Sequence, residues 1–209
     1  MPIDELFQRN KDWAAALTRE DPEYFSRMSK DQRPEYLWIG CSDSRVPATQ
    51  IVDLPPGKIF VHYNIANVVV HSDLNCLSVI QYAIETLKVK HIIVAGHYGC
   101  GGIRAAVENK ENRMIDNWLR HIADIERIHR AKLDALETEE QRLNLLAELN
   151  VQEQVANVCR TSVIRRAWES GQEVTVYGLI YEMANGQLKD LGLRVNGIGQ
   201  MTEIQQQEG

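Results

Sequence analysis

Two short segments of the chain combine side chains that are able to bind a metal ion and to move a proton. Residues 41–45 read Cys-Ser-Asp-Ser-Arg, and residues 96–102 read Gly-His-Tyr-Gly-Cys-Gly-Gly. Thiolate sulfur and imidazole nitrogen are ligands that zinc prefers, and three such ligands leave a fourth position for water. The sequence therefore predicts an open zinc site of the catalytic type, with Cys41, His97 and Cys100 as its ligands.

Asp43 and Arg45 are predicted to handle the proton at this site. Side chains alternate along an extended segment, so Cys41, Asp43 and Arg45 are expected to point to the same side. A neighbouring guanidinium lowers the pKa of a carboxyl group and binds it through two hydrogen bonds, which would keep Asp43 ionised and oriented. Asp43 would then accept a hydrogen bond from a zinc-bound hydroxide. Alternatively, Asp43 binds zinc as a fourth ligand and closes the site.

Simpler interpretations of these residues remain open. A cysteine is more often a core residue than a ligand, and residues 41–45 alone are also compatible with a capped turn that carries a surface ion pair. A closed structural zinc site would take Asp43 or Cys76 as its fourth ligand. Cys76 and Cys159 lie within apolar helical patterns and are predicted to be core residues. The catalytic interpretation is favoured because both chemical segments follow predicted strands.

Buried strands are the elements that must position the two segments. Tyr36–Gly40 and His91–Gly96 are short apolar runs that end in glycine, as is typical of strands that are covered on both faces. Lys58–Tyr63 is predicted as another strand, after a Pro-Pro-Gly turn. Ligand sites of parallel sheets lie in the crevice at the carboxyl ends of the strands, so the two chemical segments are expected to meet there.

Helices and one hairpin are predicted for most of the remaining chain. Helical periodicity predicts helices over residues 4–30, Leu74–Leu87 and most of Ile103–Glu169. Within the last range, the charged stretch Asp134–Arg142 is expected to form a loop and the start of a helix. The Asn185-Gly186 pair predicts a hairpin between strands at Glu173–Glu182 and Leu188–Val195.

The composition is that of a single globular domain. The chain has 209 residues, of which 44% are hydrophobic, which is enough to bury a core without disulfides. The prediction is therefore one α/β domain over residues 1–209, with a mainly parallel central β-sheet flanked by helices. Residues 1–33 would form an N-terminal helical arm and residues 196–209 a frayed tail.

Charge and hydropathy restrict the partners and the compartment. The net charge of −6 argues against nucleic-acid binding, which needs clustered Lys and Arg side chains. No apolar run approaches the roughly 20 residues of a membrane span, and the N-terminus lacks the features of a signal peptide. We expect a cytoplasmic protein that binds neither nucleic acid nor a membrane.

Three motifs of this chain closely resemble those of the β-class carbonic anhydrases, in particular the bacterial ones. They are Cys-Ser-Asp-Ser-Arg-Val-Pro at 41–47, Asn-Ile-Ala-Asn at 64–67 and His-Tyr-Gly-Cys-Gly-Gly at 97–102. The likeness extends from about Trp13 to Leu191. It implies a lyase, a carbonate dehydratase, that hydrates CO2 reversibly to bicarbonate and a proton through a zinc-bound hydroxide.

The resemblance also implies a cofactor, residue roles and an assembly. Zn²⁺ would be bound by Cys41, His97 and Cys100. Asp43 and Arg45 would form the dyad that gates and orients the hydroxide. Because CO2 is small and apolar, an apolar pocket is expected, and its candidate lining residues are Val46, Val68 and Tyr82. Members of the family are dimers or assemblies of dimers, so we expect a dimer or tetramer in which the N-terminal helices pack on a partner subunit.

One departure from the family pattern concerns regulation by bicarbonate. Some bacterial relatives hold an inhibitory bicarbonate near a Trp, an Arg and a Tyr, and the corresponding positions here are Trp38, Tyr63 and Tyr181. A phenol does not replace a guanidinium as an anion clamp. We therefore expect this non-catalytic bicarbonate site to be weak or altered. The alternative is that Tyr63 repacks locally and another group holds the anion.

Two other functions are compatible with the same residues. A zinc site of this kind could hydrolyse carbonyl sulfide or carbon disulfide, which like CO2 are linear molecules. The chain could also be a non-catalytic zinc or redox module. The presence of Asp43 and Arg45 argues against this last function, because a purely structural metal site has no need of a proton-handling pair.

Overall fold

The structure is a computed structural model that describes residues 2–108 and 114–200. It divides into two compact units, Met1–Arg33 and Pro34–Gly209. The first unit contains helix α1 (Ile3–Glu20) and the short helix α2 (Tyr24–Met28), and neither helix has a buried residue. This unit covers the residues predicted as a helical arm, and its packing on a partner subunit stays a prediction.

The second unit is built on a five-stranded sheet. Its strands are β1 (Tyr36–Cys41), β2 (Ile59–Asn64), β3 (His91–His97), β4 (Thr175–Glu182) and β5 (Gln187–Val195). The spatial order is β2-β1-β3-β4-β5, and every neighbouring pair is parallel except β4 and β5. The predicted α/β fold with a mainly parallel central sheet is confirmed.

The central strands form because their apolar side chains are buried on both faces of the sheet. On one face, Ile39 of β1 and Val94 of β3 have no exposed surface, and on the other face Trp38 and Ala95 are equally buried. Strands β1 and β3 are direct neighbours, with Ile39 opposite Val94. Their carboxyl ends therefore lie side by side, as the sequence predicted, and β1 extends one residue beyond the predicted run to include Cys41.

Helices surround the sheet, and all of them except the four-residue helix at residues 48–51, which was not predicted, lie in regions where helical periodicity was found. They are α3 (Ala48–Ile51), α4 (Leu74–Gln81), α5 (Gly101–Glu108), α6 (Met114–Ile128), α7 (Arg130–Asp134), α8 (Glu139–Arg160) and α9 (Ser162–Glu169). The helix predicted up to Leu87 is α4 followed by a π-helical turn at Tyr82–Thr86. Residues 65–67 and 198–200 form 3-10 turns.

Helix α8 packs on the strand that carries His97. It begins with a capping box, in which the Thr138 hydroxyl accepts from the Gln141 N–H at 3.2 Å and the Gln141 side chain accepts from the Thr138 N–H at 3.1 Å. Val151 packs so closely on β3 that a Cβ atom on Gly96 would lie 2.6 Å from its Cγ2 atom. The absence of a side chain at Gly96 therefore lets α8 approach the strand that carries His97.

The C-terminal part of the chain forms the predicted hairpin. Strands β4 and β5 pair antiparallel around the turn at Asn185-Gly186, where Gly186 has a positive φ of 73°. Residues 201–209 of the predicted frayed tail lie outside the described residues. Among the residues that the structure does describe, no helix combines the length and the apolar character needed to cross a membrane.

Candidate active site

Three potential metal ligands converge at the carboxyl end of the central strands. Cys41 is the last residue of β1, His97 is the last residue of β3, and Cys100 follows one turn later. Their ligand atoms all lie within 4.8 Å of one another, and the two sulfur atoms are 3.9 Å apart. All three residues are buried. The structure thus brings together the ligand set that the sequence predicted.

The imidazole of His97 is oriented as a zinc ligand requires. Its Nδ1 atom lies 3.0 Å from the backbone oxygen of Tyr98. A carbonyl oxygen only accepts hydrogen bonds, so in the neutral ring Nδ1 carries the hydrogen and Nε2 carries the lone pair. This Nε2 atom is buried without a hydrogen-bond partner among the described residues. A buried free lone pair beside two thiols fits Zn²⁺.

The conformation of the loop after β3 depends on Gly99 and on one network of side chains. Gly99 has a positive φ of 67°, which glycine adopts without strain and which lets His97 and Cys100 face one point. The Tyr98 hydroxyl donates to Glu148 of α8, and Lys189 of β5 donates to that carboxylate at 2.7 Å. Two neighbouring elements therefore hold the metal-binding loop in place.

The three ligand groups perturb one another strongly. Hydrogen bonding from the Cys100 thiol lowers the pKa of Cys41, and the same bond, together with burial, raises the pKa of Cys100. Burial alone would lower the pKa of His97, but its interactions with Cys41 and with the Tyr98 carbonyl raise it overall. Mutual shifts of this kind are typical of ionisable groups that are buried close together.

Asp43 and Arg45 form a two-pronged ion pair at the mouth of the site. The Arg45 guanidinium donates to Asp43 Oδ1 at 2.9 Å and to Oδ2 at 2.7 Å, and the Arg45 backbone N–H also donates to Oδ1 at 3.0 Å. The side-chain hydrogen bonds from Arg45 hold the pKa of the Asp43 carboxyl well below its usual range. The carboxylate is therefore ionised and fixed in direction.

The local backbone differs from the extended segment that the sequence argument assumed. The N–H of Val46 donates to the Asp43 carbonyl at 3.0 Å, so the chain turns directly after β1. Asp43 and Arg45 meet because the turn folds the guanidinium back over the carboxylate, and the expectation of strand-like alternation was wrong. Strand pairing ends at Cys41, and a turn then satisfies the backbone.

Asp43 and Cys76, the two candidates for a fourth protein ligand, lie in different parts of the structure. Asp43 Oδ2 lies 3.8 Å from His97 Nε2, while both of its oxygens are bound to Arg45. Cys76 lies with His62 and Asp73 in a separate cluster. A closed site that uses Cys76 is therefore contradicted, because its sulfur belongs to another part of the core.

The two remaining cysteines are core residues, as predicted. Cys76 and Cys159 have no exposed surface. Burial raises the pKa of each thiol to about 12. Both thiols are therefore neutral at physiological pH.

An open cleft of about 290 Å³ lies beside the ligands. Its lining residues are Cys41, Ser42, Asp43, Ser44, Val46, Pro47 and Tyr63. Of the predicted pocket residues, only Val46 is among them. Val68 is buried in the core next to the site, and Tyr82 is 45% exposed and packs on Phe60 at 5.8 Å between ring centroids. The described residues of one chain thus bring Val46, but neither Val68 nor Tyr82, to this cleft.

The residues of the predicted altered bicarbonate site lie on one face of the sheet. Trp38 is fully buried and its Nε1 atom has no partner among the described residues. A Cβ atom on Gly40 would lie 2.5 Å from that nitrogen and 3.2 Å from the Tyr63 ring, so the two aromatic residues are neighbours. The Tyr63 hydroxyl accepts from the Ala48 N–H at 2.9 Å. Tyr181 lies further along the sheet, opposite His97 on β4.

The contacts that support Cys41 were not predicted. The Ala66 N–H lies 3.4 Å from the Cys41 sulfur, and the buried side chains of Asn150 and Gln154 on α8 hydrogen-bond to the Ala66 carbonyl and to the Val69 N–H. Two amides four residues apart on the apolar face of a predicted helix were a usable signal. Buried amides are retained where they have specific hydrogen-bond partners.

This fold and this site define the chain as an α/β protein with a zinc-type Cys-His-Cys centre at the carboxyl ends of parallel strands. The sequence profile of the family described as "Carbonic anhydrase" matches residues 36–188. A carbonic anhydrase of Emericella nidulans is 46% identical over 93% of this chain and 86% of its own length. The chain belongs to the β-carbonic anhydrase family.

Solved structures support the same assignment. A β-carbonic anhydrase of Coccomyxa, solved in complex with acetazolamide, superposes with a TM-score of 0.92 and 34% identity, covering 99% of this chain and 96% of its own. One of two tetrameric β-carbonic anhydrases of Sordaria macrospora has a TM-score of 0.88 and 37% identity, covering 92% and 98%. The predicted family and enzyme class are confirmed, while the bacterial type stays a prediction.

Proposed function

We propose that this chain is a zinc-dependent carbonic anhydrase that hydrates CO2 reversibly to bicarbonate and a proton. The observation that carries the proposal is the buried Nε2 atom of His97, which has no hydrogen-bond partner among the described residues and belongs to a cluster with Cys41 and Cys100 whose ligand atoms lie within 4.8 Å of one another. A zinc ion held by these residues would supply a water of lowered pKa as nucleophile. Membership of the β-carbonic anhydrase family supports the choice of CO2 as substrate.

Asp43 acts as the hydrogen-bond acceptor that directs the attacking water. Its carboxylate lies 3.8 Å from His97 Nε2 and is held by two hydrogen bonds from Arg45. An ionised carboxylate accepts but does not donate, so it selects one orientation of the water. Arg45 keeps this acceptor charged and in place, which makes Arg45 a positioning residue.

The cleft provides a matching environment for CO2. Val46 and Pro47 form an apolar part of its wall, and Asp43 lines the same cleft. A small uncharged substrate gains from apolar contact and needs no cationic anchor. The cleft is open, so the released proton and bicarbonate reach solvent directly.

Self-association is part of the proposal. The Sordaria relatives are described as tetrameric, and apolar side chains of helix α1 such as Phe7 and Trp13 are exposed. We infer a dimer or tetramer in solution, in which the N-terminal helices cover a partner subunit. Light scattering on the purified protein would measure the assembly. The cytoplasmic location stays a prediction.

The decisive experiment is stopped-flow CO2 hydration across pH on protein of known zinc content. The proposal expects about one zinc per chain, and turnover that is lost when the metal is chelated and regained when zinc is restored. Parallel assays with carbonyl sulfide and carbon disulfide address the alternative substrates. Bound zinc without CO2 hydration at any pH would contradict the proposal and favour a non-catalytic module.

A further inference from the structure

A strained backbone segment presents a hydrogen-bond donor to one of the proposed zinc ligands. We call residues 64–69 the Ala66 loop. Its Ala66 N–H donates to the Cys41 sulfur at a distance of 3.4 Å. Ala66 has φ 62° and ψ 31°, and Asn67 has φ 49°, which are left-handed conformations that residues other than glycine rarely adopt. Such a conformation persists only when its surroundings hold it in place.

One clamp on the Ala66 loop comes from the strand that leads into it. The Asn64 side chain donates to the Val68 carbonyl at 2.7 Å and accepts from the Val68 N–H at 2.8 Å, which closes the loop at its base. His62 Nε2 lies 3.2 Å from the same Asn64 amide nitrogen. Both backbone groups of Val68 are thereby tied to Asn64.

A second clamp comes from helix α8. Asn150 donates to the Ala66 carbonyl at 2.9 Å, and Gln154 accepts from the Val69 N–H at 2.8 Å. The two side chains are joined to each other, because Gln154 also donates to Asn150 at 3.0 Å. We call Asn150 and Gln154 the amide pair.

The amide pair places two polar side chains in the core, which destabilises the fold unless they have specific partners. Both residues are only 1% exposed, although they lie on a helix face that otherwise buries apolar side chains such as Val151 and Val155. A buried amide is tolerated when its donors and acceptors are paired, and these amides are paired with each other and with the loop. Leucine at these two positions would pack in the core without needing hydrogen-bond partners.

We propose that Asn150 and Gln154 are positioning residues for the metal-binding thiolate of Cys41. They hold the Ala66 loop in its left-handed conformation, so that the Ala66 N–H donates to the Cys41 sulfur. This hydrogen bond stabilises the thiolate and fixes its direction, as groups behind a metal ligand generally do. The inference rests on the proposed zinc site and deepens it. It explains how α8, a helix far along the chain, makes Cys41 of β1 a stable ligand.

The first test measures zinc affinity by competition with a chromophoric chelator. Asn150→Leu and Gln154→Met replace each amide by an apolar side chain of similar size. Both variants should bind zinc about 10-fold to 100-fold more weakly than the parent protein, the range found when groups behind a ligand are removed. The matched control is Val158→Ala, which trims a fully buried apolar side chain of the same helix that has no group able to hydrogen-bond to the loop. Its zinc affinity should stay that of the parent.

The second test detects the hydrogen bond from the Ala66 N–H to the Cys41 sulfur. In protein loaded with Co²⁺ in place of zinc, absorption includes a charge-transfer band from thiolate to metal. Loss of an N–H donor raises the energy of the sulfur lone pairs, so the band of Asn150→Leu and Gln154→Met should move to longer wavelength. Gln154→Glu keeps the acceptor for the Val69 N–H, and its band should lie nearer to that of the parent protein. Val158→Ala should leave the band unchanged.

The outcomes separate this inference from the proposed function. If the parent protein binds no zinc, the proposed function fails. If the parent binds zinc and a folded amide-pair variant keeps its affinity and its cobalt band, only the positioning role is refuted. An equal change in Val158→Ala would also refute it, because general loosening of α8 would then be sufficient. If Asn150→Leu does not fold, the same two measurements on Gln154→Met and Gln154→Glu test the positioning role.

Discussion

At the scale of single residues, the site separates groups that bind the metal from groups that control the water. Cys41, His97 and Cys100 are buried and mutually coupled. Asp43 and Arg45 lie at the cleft and are coupled mainly to each other. Substitutions in the two sets should therefore have different effects on metal content and on turnover.

Asp43→Ala should leave the zinc content close to one per chain but slow CO2 hydration by about 100-fold or more, the usual contribution of a positioned proton acceptor. Zinc analysis and stopped-flow assays on the same sample would measure both quantities. Asp124→Ala is the control, because it removes an aspartate that is paired with Arg127 on the surface. Normal turnover of Asp43→Ala across pH would show that Asp43 does not direct the water.

The ionisation of Asp43 should depend on Arg45. The folded-state pKa of Asp43 is lowered by Arg45, so the pair contributes stability above the ordinary carboxyl pKa and loses it as the pH falls through the lowered value. Arg45→Met should move the pKa of Asp43 upward, as followed by a ¹³C NMR titration. Arg104→Met, which breaks an exposed pair with Glu139, should not. An unchanged titration in Arg45→Met would contradict the assignment.

Bicarbonate should inhibit this protein only weakly and without cooperativity. Tyr63 stands where the family pattern has an arginine, and its hydroxyl is already bonded to the Ala48 N–H. Tyr63→Arg should strengthen inhibition because a guanidinium binds a planar anion through two hydrogen bonds. Tyr63→Phe, which removes only the hydroxyl, is the control. Tight, cooperative inhibition of the parent protein in initial-rate measurements would contradict this prediction.

At the scale of secondary-structure elements, helix α8 connects the parts of the site. Its Glu148 binds the Tyr98 hydroxyl in the loop after β3, and its Asn150 and Gln154 bind the Ala66 loop. The helix is long and well capped at Thr138, which gives these contacts a rigid support. A change in the distance between α8 and the sheet should therefore disturb the site as well as the core.

Gly96→Ala should lower the free energy of unfolding by about 1–3 kcal/mol, because the new methyl group would overpack the contact between β3 and Val151. Urea denaturation would measure the change. The loss should be smaller when Val151→Ala is present, since that substitution makes room for the methyl group. Gly199→Ala, where a Cβ atom meets nothing within 4 Å, is the control. Equal losses in both backgrounds would show that this contact is not the cause.

At the scale of the whole molecule, the two units differ in how their apolar surface is covered. The sheet unit has an extensive buried core, whereas α1 has no buried residue and exposes Leu6, Phe7 and Trp13. Apolar side chains grouped on a helix commonly mark an interface. The exposed apolar side chains of the arm give self-association through this unit a physical reason.

Removal of residues 1–33 should lower the oligomeric state or shift dissociation to higher protein concentration, because the proposed cover for a partner would be lost. Light scattering over a concentration series would detect the change. The matched control replaces exposed charged residues of the arm, Lys11→Ala and Asp12→Ala, and keeps its apolar side chains. An unchanged assembly after removal of the arm would contradict the proposed role of α1.

Much of the fold and the ligand set could be predicted from sequence because both depend on local information. Apolar runs such as His91–Gly96 specify buried strands, and the types of Cys41, His97 and Cys100 specify a soft metal site. The turn after Cys41 was only an alternative to the extended segment, because the end of strand pairing depends on the neighbouring strands. The cleft residues were predicted poorly, since lining a cavity depends on how separate elements pack.

The sequence by itself determined the ligand types, the Asp43 and Arg45 pair and the strands whose ends carry them. These features follow from residue chemistry and from patterns within a few positions. Only the tertiary structure decided that Asn150 meets Ala66, 84 residues away along the chain, and that the Ala66 N–H then faces Cys41. The physical reason is that this contact exists only when α8 packs on the sheet. No local sequence pattern specifies which group a buried amide will hydrogen-bond.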